Sequence, residues 1–157
     1  MKNISYLGIC KKCGGECCKL GGPTISSKER TRILKTGVKD YFCEVAKGVY
    51  EVKTKGTGIC PYLAKDKSCS IQDVKPSGCI CWPVLPELRN GKRNYIVMQC
   101  PLTPYLTKKD ILKYKKECMK VPKKVVAVTW DMSTTINPKE LKIISKRLKK
   151  FKKSKLK

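Results

Sequence analysis

Residues 10–18 read CKKCGGECC, and this stretch decides the fold. Cys10 and Cys13 stand two residues apart, the spacing at which a tight turn aims two thiolates at one metal. Gly14 and Gly15 follow and let the backbone fold back closely. Cys17 and Cys18 are adjacent. Neighbouring side chains diverge, so these two suit two centres, or one cluster with the other thiol supporting it from behind, better than one tetrahedral ion. The expectation for residues 1–23 is therefore a Cys- and Gly-rich loop or knuckle with no regular element.

Further cysteines follow at 60, 69, 79 and 100. The segment 60–86, CPYLAKDKSCSIQDVKPSGCICWPVLP, carries four cysteines and four prolines, which rules out a long helix or strand there. Cys60 and Cys100 each precede a proline, as the last ligand does in bacterial-type ferredoxins. Cys10, Cys13, Cys17, Cys18, Cys60, Cys69, Cys79 and Cys100 are the candidate ligands. Their centre is a four-iron four-sulfur (4Fe-4S) cluster or zinc, since soft thiolates select both. Which four form a set is open at this point. Ordinary buried thiols are the plain alternative, but Gly- and Pro-rich loops make a poor core for eight of them. Cys43 and Cys118 read as core thiols. Cys81, two residues from Cys79, is a further ligand candidate.

Composition narrows the choices. The 157 residues contain 11 Cys, no His, and 36 Lys+Arg against 12 Asp+Glu, a formal charge of +24. Without His there is no Ser-His-Asp or Cys-His machinery and no imidazole ligand. An odd number of cysteines cannot all pair within the chain. No paired carboxylate motif, phosphate-binding glycine loop or three-cysteine radical-SAM motif occurs. No apolar run approaches the roughly 18 residues a membrane span needs. The start, MKNISYLGICKKC, lacks a continuous apolar core, so a secretory signal is not expected and a reducing cytoplasmic setting is. The lysine excess attracts an anionic partner, RNA or an acidic protein, unless it is only a solvated surface.

The elements expected around the cysteines are short. Ser26 or Ser27 caps a helix over 27–36, with Glu29 in its first turn and Gly37 at its end. Residues 48–53 alternate as a strand. Asn90-Gly91 marks a hairpin between strands at 84–88 and 94–99. Thr107 and Asp110 start a helix over 108–120. KVVAVTW, 124–130, reads as a buried strand. Asn137, Pro138 and Glu140 announce a basic helix over 138–152 with Leu141, Ile144, Leu148 and Phe151 on its apolar side. The sum is a small, loop-rich, metal-nucleated α+β domain over 1–103 and a basic helical extension over 104–157 packed on it.

The whole pattern resembles the YkgJ-like CxxCxxCC cysteine-cluster family of zinc- or iron-chelating domains. CKKCGGECC resembles its namesake cluster, and ISSKERTRILKTG its capped helix. GICPYL, CSI, KPSGCICWP and the Cys100-Pro101 step resemble its later elements, so the likeness covers about residues 8–101. Lys75 and Ile80 stand where the family carries arginines, and Trp82 where it carries Phe. The resemblance implies metal binding through the eight cysteines, with a structural, redox or metal-delivery role. Flagellin lysine N-methylases carry a similar cluster, which makes a metal-cluster enzyme the alternative. An RNA-associated module with structural metal is the other.

Overall fold

The computed structural model describes residues 6–130 and 138–153. The chain opens with a helix, α1 (Tyr6–Cys13), not the irregular knuckle expected for residues 1–23. Ile9 provides the reason, because it packs in an apolar cluster with Met98, Cys100 and Leu102. The glycines end the helix. Gly14 and Gly15 adopt φ of 82° and 67°, and their N–H groups cap the carbonyls of Lys11 and Cys10. A 3-10 turn, Glu16–Lys19, follows at once and carries Cys17 and Cys18.

Strand β1 (Thr24–Ser26) leads into α2 (Ser27–Leu34). Ser26 caps α2 through a full capping box. Its hydroxyl accepts from the Glu29 N–H at 3.3 Å, and its own N–H donates to Glu29 Oε2 at 3.1 Å. Strands β2 (Phe42–Ala46) and β3 (Val49–Val52) complete an antiparallel sheet of order β1-β3-β2. Ile25, Ile33, Phe42 and Val52 from these elements bury with Tyr62 and Ile71. Each fully buried aliphatic side chain there contributes about 1.5–3 kcal/mol.

Helix α3 (Ser77–Ile80) is a single turn. Strands β4 (Val84–Arg89) and β5 (Lys92–Val97) form the expected hairpin, with positive φ at Asn90 and Gly91. Helix α4 (Lys108–Cys118) starts at the Thr107–Asp110 capping box, as expected.

Residues 124–130 are not a strand. They lie in helix α5 (Lys123–Trp130), which starts off Pro122, whose carbonyl accepts from the N–H groups of Val125 and Val126. A helix satisfies its own backbone there while Val121, Val125 and Val128 line up at helical spacing against Val49 and Leu88. β-Branched propensity loses to that packing. Helix α6 (Pro138–Lys153) closes the described chain, with Ile144 buried. Asn137 as its cap, and Leu141 and Phe151 as its core residues, lie outside the described residues and side chains. Helices with small antiparallel sheets make the fold α+β. Among the described residues, no helix is long and apolar enough to cross a membrane.

Candidate metal centre

Five segments bring the eight candidate cysteines together. Cys10 and Cys13 lie one turn apart on α1, on one face of the helix. Together with Cys17 and Cys100 they line a small cavity whose wall also includes Ile9, Trp82 and Leu102. Cys100 arrives from the end of β5. Its N–H donates to Thr103 Oγ1 at 2.9 Å, and that hydroxyl donates to the Met98 carbonyl at 2.8 Å, which fixes the turn.

Cys18, Cys60, Cys69 and Cys79 meet on the other side of the 3-10 turn. The chain after Cys18 runs antiparallel to the chain before Cys60. The Cys60 N–H donates to the Cys18 carbonyl at 2.7 Å, and the Gly21 N–H to the Gly58 carbonyl at 3.0 Å. An isolated antiparallel bridge pairs Leu63 with Cys69. Cys60 belongs to the apolar cluster of Ile25 and Tyr62, and Cys18 and Cys69 pack against it. Cys79 sits on α3, and every pair among Cys18, Cys60, Cys69 and Cys79 interacts electrostatically.

Residues outside the cysteine pattern hold these segments in place. Glu29 reaches beyond its own cap, its Oε1 accepting from the Ser77 N–H at 2.8 Å and fixing the start of α3. Arg32 donates to the Lys75 carbonyl at 2.9 Å. From α6, Arg147 donates to the carbonyls of Lys19 (3.1 Å) and Thr57 (2.8 Å), bridging the segments that carry Cys18 and Cys60. The buried Glu140 accepts from the Gly58 N–H at 3.1 Å. Gly58 has φ +68°, and a Cβ there would stand 2.9 Å from Ile144 Cγ1, so α6 fits only against glycine. The capping box signals Glu29 in the sequence. No local pattern signals these contacts of Arg147, Glu140 or Arg32, because their partners are far away in sequence.

Burial dominates the electrostatics of these thiols. Burial pushes Cys60 up to about 12 and raises Cys10, Cys69 and Cys79 as well. Cys17 donates a hydrogen bond to Cys18, which raises Cys17. Accepting that bond, with the charges of Lys75 and Lys19 beside it, lowers Cys18 to about 7. The Lys75 charge also bears on Cys10, Cys69 and Cys79. Lys75 thus places a cation among thiols. Among the described residues, no three His, Cys, Asp or Glu side chains already stand in metal-holding geometry. The thiols are neighbours and not a formed coordination shell. As donors they are all soft sulfur, which fits zinc or an iron–sulfur cluster. The turn beside them is shaped tightly, since a Cβ on Gly15 would come within 2.6 Å of Leu63 Cδ1.

The remaining cysteines have other surroundings. Cys118 is fully buried on α4, and its thiol donates to the Val84 carbonyl at 3.3 Å. Cys81, also fully buried, lies within hydrogen-bonding reach of Cys118, and this contact together with burial pushes it up. Cys43 is half-buried on β2 and donates to the Glu51 carbonyl at 3.5 Å. Comparison with family models, with curated proteins and with solved structures returns no match.

Proposed function

We propose that this chain is a cytoplasmic metal-binding protein that holds an iron–sulfur cluster, a 4Fe-4S centre, or zinc. Its ligands are Cys10, Cys13, Cys17, Cys18, Cys60, Cys69, Cys79 and Cys100. One observation carries the reading. Thiols from α1, the 3-10 turn, the 60–69 loop, α3 and the chain after β5 are neighbours, four of them lining one cavity and the others gathered where the Cys18 and Cys60 segments run side by side, while Cys81 and Cys118 bury in a separate apolar cluster with Val84. A gathering of soft sulfur donors is the set that zinc or an iron–sulfur cluster takes, with the metal replacing the thiol protons on binding. Zinc so held supplies folding free energy, and a cluster adds one-electron chemistry. The chain's own residues supply the frame. α2 fixes α3 through Glu29 and Ser77, and α6 fixes the Cys18 and Cys60 segments through Arg147 and Glu140. The role is structural, redox or metal delivery. The likeness to the YkgJ-like cysteine-cluster family supports the same reading.

The test is metal content after anaerobic purification of single variants. Cys13→Ser and Cys60→Ser lose metal, and Cys118→Ser keeps it. Metal lost from Cys118→Ser but kept by Cys60→Ser would overturn the ligand assignment.

A further inference from the structure

We infer that the eight thiols form two neighbouring four-thiolate centres, Cys10, Cys13, Cys17 and Cys100 in one and Cys18, Cys60, Cys69 and Cys79 in the other. This rests on the metal-binding reading above and adds the number of centres and the membership of each.

The division starts at the 3-10 turn. A 3-10 helix advances about 120° per residue, so the adjacent Cys17 and Cys18 leave it toward different sides. On the Cys17 side lies the cavity lined by Cys10, Cys13, Cys17 and Cys100, and walled by Ile9 and Trp82. On the Cys18 side the backbone itself makes the connection. Cys18 and Cys60 are joined by a main-chain hydrogen bond, and Cys69 is brought back by its bridge to Leu63.

The two sets also rest on different apolar clusters. Cys100 buries with Met98 and Leu102, against Ile9 and Trp82. Cys60 buries with Ile25, Tyr62 and Ile71, against Cys18 and Cys69. Cys79, on α3, does not line the cavity of the first four thiols, and its neighbours are Cys18, Cys60 and Cys69 together with Cys17 across the 3-10 turn, which places it with the second set.

The centres are close. Cys17 and Cys18 are adjacent in the chain and interact electrostatically, so the Cys17–Cys18 peptide is the shared wall. Four thiolates around a divalent ion, or around an oxidised four-iron cluster, leave a net charge of about −2. Two such centres side by side repel unless a cation stands between them. Lys75 meets that need, its charge bearing on Cys10 of the first set and on Cys18, Cys69 and Cys79 of the second.

The experiment is an anaerobic titration of the reduced full-length chain with cobalt(II), read by sulfur-to-cobalt charge-transfer and d–d bands. Anaerobic reconstitution with iron and sulfide runs alongside. The expected result is two equivalents of cobalt, both tetrahedral and sulfur-bound, or about eight iron atoms per chain. Cys100→Ser and Cys69→Ser each lower the number of four-sulfur cobalt sites by half. One equivalent of cobalt and about four iron atoms in the unmodified chain would overturn the partition, without recourse to any variant that fails to fold. A folded Cys100→Ser chain, verified by circular dichroism, that loses both sites would overturn it as well. Uptake of neither cobalt nor iron with sulfide would overturn the metal-binding reading itself.

Discussion

Replacing Glu29 by alanine separates local helix capping from the assembly of the cysteine site. The Glu29 carboxylate does two things at once. It closes the α2 capping box on Ser26, and it accepts from the Ser77 N–H at the start of α3. Loss of the reciprocal cap costs about 1 kcal/mol. The second loss is larger in kind, because Ser77 is buried and its N–H is left without its carboxylate acceptor. That adds about 1–3 kcal/mol. The sum is about 2–4 kcal/mol. At about 2–4 °C per kcal/mol for a chain approaching this size, thermal unfolding should fall by about 5–15 °C. Ser26→Ala is the control, since it removes the hydroxyl of the cap and leaves the Ser77 bond intact, and it should cost about 1 kcal/mol. The assay is circular dichroism melting of both variants, metal-free and under reducing conditions, followed by zinc competition with a chromophoric chelator. Glu29→Ala should also bind zinc more weakly, because Cys79 sits two residues beyond Ser77 on α3. Equal melting points for the two variants would refute the reasoning.

Three further outcomes are expected. Arg147→Met keeps an apolar stem but removes both donated bonds to the Lys19 and Thr57 carbonyls, so chemical denaturation should show about 1–3 kcal/mol lost. Lys75→Met removes the charge that bears on Cys10, Cys18, Cys69 and Cys79. Zinc affinity should fall on the order of tenfold in a chelator competition, and unchanged affinity would show that the charge is not felt by the bound state. Zinc binding should strengthen as pH rises from 6 to 8. Cys60, Cys10 and Cys69 are pushed up by burial and stay protonated in that range, so each thiolate that binds must release a proton; calorimetry in buffers of different ionisation heat counts them.

Local chemistry made several elements readable in advance. Ser26 with Glu29 and Thr107 with Asp110 are complete signals within three residues, and both helices start there. Asn90-Gly91 carries its own turn geometry, and β4 and β5 pair across it. Readings failed where distant packing decided. KVVAVTW has strand propensity, yet Val49 and Leu88 offer a surface that a helix fills. Residues 6–13 look like a knuckle by cysteine spacing, yet Ile9 anchors a helix against Leu102. The short strands β1 and β2 are legible only through their pairing with β3.

The site divides in the same way. Spacing and the family resemblance together marked eight cysteines, and the fold brings them into one neighbourhood. Their grouping depends on which segments run side by side, and no local pattern encodes that. Arg147 and Glu140 belong to a helix that reads in sequence as basic with one apolar side, and nothing local tells what either side chain holds. In the fold both turn toward the Cys18 and Cys60 segments.

The most direct test of the central claim is the metal and acid-labile sulfide content of the anaerobically purified chain, with a visible spectrum of the same sample. The expected result is tightly held soft metal. Iron and sulfide in about equal amounts with a broad band near roughly 400 nm is one form of it, and zinc in a colourless sample is the other. A folded chain that carries neither metal and binds neither when supplied under reducing conditions would contradict it.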